Sequence, residues 1–191
     1  MESKKSNSLH IVVTGHRFLP KDAASLSDAI RQVFQDILSN HDQTPIILHT
    51  ALAEGSDQLA ATIAFEFPEI KIHVPLPKAE GDYLADFDSE EGRNDFRKLI
   101  LSADLVTQLN NPKKPQNAYQ ALGDYLVQQA DLLLAVWNGN FNQKGGGTGE
   151  VVRSALDIGK PVYWIYSPNL KPGEKSPYTY KKQIGDIEFL N

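Results

Sequence analysis

Four glycine-containing segments place polar side chains where the backbone could approach a small ligand closely. They are Thr14-Gly15-His16-Arg17, Ala53-Glu54-Gly55-Ser56-Asp57, Trp137-Asn138-Gly139 and Gly145-Gly146-Gly147-Thr148-Gly149-Glu150. Glycine lacks a Cβ atom, so a ligand can contact the main chain at such positions without a steric clash. Each segment alone is a weak signal, and it is their convergence that predicts a binding site for a small molecule.

The last of these segments is the most specific. Its glycines lead into a predicted helix whose free N–H groups favour an anion such as phosphate, and Thr148 could add a hydroxyl donor. The alternative is a flexible surface loop capped by Thr148. Glu150 would be repelled by a phosphate, so we expect it to accept hydrogen bonds from ribose hydroxyls or to assist glycosidic chemistry. Its structural alternative is stabilisation of the helix dipole.

Charged side chains in the first two segments are further candidates. The forked guanidinium of Arg17, beside Gly15, suits the oxygens of a phosphate, or else pairs with a surface carboxylate. Glu54 is predicted to contact the ligand. Asp57 lies near a helix N-terminus, where a carboxylate is favourable in any case, so both roles stay open. His16 either contacts the ligand or packs and hydrogen-bonds to backbone.

The elements that would position these segments alternate between strands and helices. Predicted strands are Leu9–Thr14, Ile46–Thr50, Lys71–Pro75, Leu105–Leu109, Asp131–Trp137 and Pro161–Ile165, with an edge element at Ile187–Leu190. The predicted helices cover Asp22–Ser39 with Asp22 as N-cap, a segment from Ser56 to before Pro68, a segment with Phe96, Leu99 and Ile100, Ala118–Ala130, and a last helix that ends at Gly159. This alternation predicts the α/β class: a single Rossmann-like three-layer domain with a mostly parallel doubly wound sheet. Ligands of such sheets bind at the carboxyl ends of the strands.

Two groups of aromatic residues have alternative roles. Tyr83 and Phe87 lie in a long acidic segment, residues 76–94, which we predict to be a loop with one helical turn. They could stack on a base as part of a lid, or the loop could simply be solvated. Trp137 ends a predicted strand, where it is either a core residue or a stacking wall.

Bulk properties narrow the range of functions. The 191 residues predict a tail over 1–8, one domain over 9–166 and a C-terminal extension over 167–191. The chain has no cysteine, and its five histidines lack metal-ligand spacing, so neither a metal nor a cofactor is expected. The net charge of −5 disfavours nucleic acid as a partner. No apolar run is long enough to span a membrane, which predicts a cytoplasmic protein.

Several motifs together resemble the SLOG superfamily of Rossmann-like proteins. That group includes the LOG phosphoribohydrolases, the DNA-processing protein A domain and nucleotide-sensing modules. The matching segments are Val13-Thr14-Gly15-His16-Arg17, residues 52–60, Val74-Pro75-Leu76-Pro77, residues 131–137, and Gly146-Gly147-Thr148 with Glu150. The resemblance implies a nucleotide or nucleotide-derived ligand, and it is nearest to an uncharacterised bacterial branch. It leaves open a homodimer or higher homo-oligomer.

Departures from the LOG pattern separate two functional hypotheses. The LOG motif begins with proline and places glutamate three positions after threonine, whereas here Lys144 takes the proline position and Glu150 follows Thr148 by two. An upstream catalytic arginine is also missing. The first hypothesis is therefore a binding module, such as a sensor of a signalling nucleotide. The alternative is a LOG-like N-glycosidic hydrolase or a deoxyribosyltransferase acting on nucleoside monophosphates, with Glu150 as its catalytic residue.

Overall fold

A computed structural model describes residues 8–21, 24–109, 118–141, 147–172 and 181–191. The strands in these ranges are β1 (Leu9–Gly15), β2 (Ile46–His49), β3 (Ile70–Leu76), β4 (Leu105–Gln108), β5 (Leu132–Trp137), β6 (Val162–Tyr166) and β7 (Ile187–Leu190). The helices are α1 (Ala24–Asn40), α2 (Ser56–Ala64), α3 (Glu80–Leu84), α4 (Glu90–Leu101), α5 (Ala118–Gln129) and α6 (Thr148–Asp157). Every predicted strand and helix is present, with ends shifted by a few residues. The predicted N-cap, Asp22, lies outside the described residues.

One seven-stranded sheet has the order β4-β3-β2-β1-β5-β6-β7. All neighbouring pairs are parallel except β6 and β7, which are antiparallel. Helix α2 contacts both α1 and α4, α5 contacts α6, and helices cover both faces of the sheet. The predicted three-layer, doubly wound architecture is therefore confirmed. Strand order reverses between β1 and β5, which places the switch point at the centre of the sheet.

The core is centred on that same pair of strands. Ile11, Val12 and Val13 are buried in β1, and all six residues of β5 are buried. A strand buried on both faces needs a continuous apolar sequence rather than an alternating one, and residues 132–137 are such a run. Trp137, at the end of β5, is fully buried and makes tilted ring contact with Trp164. Its interpretation as a core residue is the one that the structure supports.

Two features show how the sequence sets the helix boundaries. On α1 the buried residues recur at intervals of three and four, so that one face of the helix packs on the sheet. After α6, Gly159 has a φ of 71°, and its N–H donates to the carbonyl of Leu156 at 2.9 Å. This left-handed residue ends the helix as predicted, because glycine adopts that conformation without steric cost. No helix in the described part of the chain is long and apolar enough to span a membrane.

Three histidines lie side by side on β1, β2 and β3. Nδ1 of His10 is 2.8 Å from Nε2 of His49, and the rings of His49 and His73 meet edge to face at 5.4 Å. Burial, together with the charges of His10 and His73, lowers the pKa of His49 to about 4. Protonation of His49 at acid pH therefore places a positive charge in a buried part of the sheet.

Candidate functional site

A cleft of about 770 Å³ opens at the carboxyl ends of β1 and β5. Its position is the one expected for a doubly wound sheet, because the strand order reverses there. It is lined by residues 13–18, Ala51, Ala53, Asp57, Tyr83, Asp88, Tyr119, Leu122, Gly123, Leu126, Gly147, Thr148, Val151, Asn169 and Lys171. The lining therefore includes Thr14, Gly15, His16, Arg17, Asp57, Gly147 and Thr148 from the residues that the sequence singled out.

Gly15 and His16 join the two central strands at the floor of the cleft. A Cβ on Gly15 would lie 2.4 Å from the Ser56 side chain and 2.6 Å from the Val136 carbonyl oxygen, so only glycine fits there. The buried His16 accepts a hydrogen bond at Nε2 from the backbone N–H of Asn138 at 3.0 Å. His16 thereby fixes the segment that follows β5, in keeping with the backbone-bonding alternative raised for it.

The second and third glycine turns pack against this floor. Gly55 has a φ of 84°, and a Cβ there would lie 2.4 Å from the carbonyl oxygen of Arg17. Gly139 has a φ of 81°, and the side chain of Asn138 accepts a hydrogen bond from the N–H of Asn140 at 3.1 Å. Gly55, Asn138 and Gly139 are not among the residues that line the cleft. They shape the turns beside it.

Arg17 extends from the end of β1 along one wall of the cleft. Its Nη2 donates to Oε2 of Glu54 at 3.1 Å and to the backbone carbonyl of Asp86 at 2.9 Å. Its Nη1 is 3.7 Å from Oδ2 of Asp88, which is an ion-pair distance but too long for a hydrogen bond. The guanidinium carbon lies 5.8 Å from the centre of the Phe87 ring. Arg17 is thus held at Nη2, and it lines the cleft together with Asp88.

Glu54 organises the wall rather than lining the cleft. Its carboxylate accepts hydrogen bonds from the N–H of Asp88 at 2.7 Å and from the N–H and hydroxyl of Ser89 at 2.9 and 2.7 Å, in addition to the bond from Arg17. Burial opposes ionisation of Glu54, but these hydrogen bonds and the guanidinium outweigh it, so its pKa is lowered. Glu54 is absent from the cleft lining, and its acceptor capacity is taken up by the protein.

Asp57 is buried in the first turn of α2 and lines the cleft. It accepts hydrogen bonds from the Thr50 hydroxyl and from the backbone N–H groups of Ala51 and Ala53. Between these residues Leu52 has a φ of 56°, a left-handed conformation that leucine rarely adopts. Burial raises the pKa of Asp57 to about 7, even though the three hydrogen bonds favour the charged form. Asp57 therefore holds a strained turn and presents a carboxyl group that changes protonation near neutral pH.

The long acidic segment folds back onto the protein as a packed wall. Tyr83 and Phe87 are 2% and 4% exposed and form edge-to-face contacts with each other and with Phe96. The solvated-loop alternative is therefore wrong, because these rings form a small core beneath the segment. Tyr83 lines the cleft as well. The Asp86 side chain accepts hydrogen bonds from Lys78 and from the Tyr119 hydroxyl, which ties the segment to α5.

The N-terminus of α6 also borders the cleft. The backbone at Gly147 is extended, Thr148 begins the helix, and no side-chain hydrogen bond caps this end within the described ranges. Both residues line the cleft, whereas Glu150 is half-buried and is not part of the lining. Gly145 and Gly146 lie outside the described residues. The helix N-terminus at Thr148, which was predicted to bind an anion, thus borders the cleft. Glu150, the residue predicted to be catalytic if the protein is an enzyme, does not.

Four polar residues of the lining were not among the sequence candidates. Asp88 and Tyr119 come from segments without a glycine turn, and Asn169 and Lys171 follow β6. The Oδ1 atom of Asn169 is buried and has no hydrogen-bond partner within the described ranges, so it is an acceptor available to a ligand. The backbone bond from Leu170 to the carbonyl of Phe18 holds this segment against the cleft. Only tertiary structure brings these residues to the site.

No cluster of three or more His, Asp or Glu side chains within the described ranges is arranged to hold a metal ion. The chemistry on offer is that of hydrogen bonding and charge. Arg17 and Lys171 supply positive charge, Asp57 and Asp88 supply carboxyl groups, and Thr148 supplies a hydroxyl at a helix N-terminus. This combination suits a polar ligand that carries an anionic group.

Solved structures with the same architecture identify the fold. DNA processing protein A from Streptococcus pneumoniae gives a TM-score of 0.55 at 17% sequence identity, over 88% of this chain and 52% of that chain. The structural genomics target TM1055 gives a TM-score of 0.50 at 16% identity, over 81% of this chain and 72% of that chain. The chain has the Rossmann-like fold of these proteins.

The fold implied by the SLOG resemblance is therefore confirmed. The chain spans about half the length of DNA processing protein A. The molybdenum cofactor carrier protein from Chlamydomonas reinhardtii gives a lower TM-score of 0.45 at 19% identity, over 82% of this chain and 75% of that chain. No protein-family model matches the sequence, and no curated protein matches it significantly. At these identities the likeness establishes the fold, whereas the ligand has to be argued from the cleft.

Proposed function

We propose that the protein binds a nucleotide or a nucleotide-derived small molecule in the cleft between the ends of β1 and β5, as a binding module such as a sensor. The observation that carries this proposal is the arrangement of Arg17. Two hydrogen bonds at Nη2 fix its guanidinium, Nη1 makes no hydrogen bond within the described residues, and Arg17 lines the cleft. A cation held in advance loses little conformational entropy when a phosphate binds, which favours affinity.

The residues that line the cleft suit the parts of a nucleotide. Arg17 and the α6 N-terminus at Thr148 offer positive charge and N–H donors to a phosphate. Leu122, Leu126 and Val151 are apolar and suit the faces of a base. Asp57, in the first turn of α2, adds a carboxyl group that can accept hydrogen bonds from sugar hydroxyls.

Cleavage of an N-glycosidic bond is the second candidate function, and one observation favours it. Asp57 lines the cleft and has a pKa near 7, a value that suits a general acid or base at neutral pH. Glu150 was the sequence candidate for this role, but it is not among the lining residues. If free base is released from a nucleoside monophosphate, we expect the activity to be lost in Asp57→Asn and kept in Glu150→Gln.

The proposal is tested by calorimetric titration of the four ribonucleoside 5′-monophosphates and their nucleosides. For the ligand that binds most tightly, Arg17→Ala should weaken binding by roughly 1.5–3 kcal/mol, the scale of a hydrogen bond to a charged group. Arg17→Lys keeps the charge but loses the fork, and should also bind more weakly. Arg31→Ala is the matched control, because Arg31 pairs with Glu66 and Asp28 away from the cleft.

Two results would contradict the proposal. One is the absence of binding to any member of the panel. The other is an affinity that Arg17→Ala and Arg31→Ala reduce equally, since the cleft would then have no special part in recognition.

A further inference from the structure

We propose that Asp88 determines the charge specificity of the cleft, because its carboxylate competes with the phosphate of the ligand for the Nη1 side of Arg17. The quantity that Asp88 affects is the ratio of the affinity for a nucleotide to the affinity for the matching uncharged nucleoside. With Asp88 present, this ratio would be lower than the geometry of Arg17 alone allows. This inference rests on the proposed function and names the residue that sets its selectivity.

The first step concerns which nitrogens of the Arg17 guanidinium already make hydrogen bonds. Nη2 is engaged by Glu54 at 3.1 Å and by the Asp86 carbonyl at 2.9 Å. Nη1 makes no hydrogen bond within the described ranges, and it lies 3.7 Å from Oδ2 of Asp88. A phosphate that engages Nη1 therefore approaches the nitrogen that Asp88 faces.

The second step is that the Asp88 side chain can move away from Arg17. Its side chain is 57% exposed, whereas that of Glu54 is 9% exposed. Its contact with Arg17 is also looser than a hydrogen bond, so the carboxylate can turn towards solvent at small cost. The backbone of Asp88 is held separately, since its N–H donates to Glu54 at 2.7 Å. The loop can therefore stay in place when this side chain moves or is replaced.

The third step is the balance of charge. Arg17 already has two carboxylates within ion-pair distance, so a phosphate that binds beside it meets repulsion from Asp88. Two unit charges a few ångströms apart at a solvated surface repel each other by an amount that corresponds to about a fivefold change in affinity, and a phosphate dianion meets more. Removal of this carboxylate should tighten the binding of the charged ligand and leave the uncharged one unaffected.

The experiment compares a ribonucleoside 5′-monophosphate with its own nucleoside, using the base that wild type binds best. In Asp88→Asn and Asp88→Ala we expect the monophosphate to bind about five- to tenfold more tightly and the nucleoside to bind as in wild type. The alanine variant shows that the gain does not come from a new amide donor. Asp82→Asn is the control, because it removes an exposed carboxylate from α3, near the same wall, and should change neither affinity.

The outcomes separate this inference from the proposal on which it rests. If wild type binds the monophosphate but the affinity ratio is unchanged or reduced in both Asp88 variants, Asp88 does not compete with the ligand and the inference is overturned. An equal gain in Asp82→Asn would also overturn it, since the effect would then be one of net charge. If wild type binds no nucleotide and no nucleoside, the proposed function itself fails, and this inference fails with it.

Discussion

Replacement of Glu54 by glutamine should destabilise the protein strongly, although glutamine has nearly the same shape. Both carboxylate oxygens accept hydrogen bonds, Oε1 from the N–H and hydroxyl of Ser89 and Oε2 from Asp88 and Arg17. An amide keeps one acceptor oxygen and puts an N–H₂ group in place of the other. If the amide N–H₂ takes the place of Oε2, it faces two donors, the Asp88 N–H and the Arg17 guanidinium. If it takes the place of Oε1, the Ser89 hydroxyl can turn to accept, but the Ser89 N–H still faces a donor, and both bonds to a charged acceptor are lost.

The expected loss follows from the bonds at one oxygen. Two hydrogen bonds to a charged acceptor contribute about 1.5 kcal/mol each at the lower end of their range, which gives a loss of about 3 kcal/mol in the free energy of unfolding. The lower end applies because the Arg17 side chain is 38% exposed, so water can replace part of its interaction. The loss is expected at neutral pH. Since the pKa of Glu54 is lowered in the fold, the stabilisation is present above the unfolded value near 4.5 and is lost as the pH falls below it.

Urea unfolding followed by tryptophan fluorescence measures this loss, and the chain supplies a matched control. Glu66 also pairs with an arginine, and accepts bonds from Nε and Nη2 of Arg31 at 2.7 and 2.9 Å. That pair lies at the surface, so Glu66→Gln should change stability far less. Equal losses in Glu54→Gln and Glu66→Gln, or a loss at Glu54 that persists unchanged at pH 3, would refute the reasoning.

Two further predictions concern the same region of the fold. Because burial raises the pKa of Asp57 to about 7, wild-type stability should fall as the pH rises from about 4 to about 7, and Asp57→Asn should gain up to about 4 kcal/mol relative to wild type over that window. Chemical unfolding at several pH values gives the difference in free energy of unfolding between the two proteins, in which the opposite contribution of His49 cancels. A difference that stays constant between pH 4 and pH 7 would contradict the assigned pKa. Gly92→Ala should destabilise the protein although alanine favours helices, because its Cβ would lie 2.3 Å from Oε1 of Glu54. Gly81→Ala meets nothing within 4 Å and should be neutral or stabilising, so similar unfolding midpoints for the two glycine variants would argue against this packing.

The fold could be predicted from the sequence because its elements carry strong local signals. The apolar run over 131–137 and the spacing of three and four in α1 each have one physical interpretation, a buried strand and an amphipathic helix. Strand ends were less certain. The sequence placed the end of β3 at Pro75, whereas the strand continues to Leu76, because the end of a strand depends on its partner as well as on its own sequence.

The site could be predicted only in part. Gly15, Arg17 and Thr148 were found because each follows a strand or begins a helix, and the topology brings such positions together. Glu54 was expected to contact the ligand. In the structure its carboxylate instead accepts hydrogen bonds from Ser89 and Asp88, which lie more than 30 residues away in the sequence. Asn169 carries no local signal at all. Interactions between distant segments decide these roles, and propensity and spacing do not encode them.

The central pairing of β1 with β5 also has a consequence for how the protein is made. His10 and Asp131 hydrogen-bond across this pair although 121 residues separate them, and 122 residues separate His16 from Asn138. On the ribosome, β1 can pair with β2 early, but its other edge stays open until β5 has been synthesised. Contacts of such long range slow folding and leave intermediates with an unpaired edge. The cleft lies on this late-forming seam, so a nascent chain has no complete binding site until β5 and the segments after it have been synthesised.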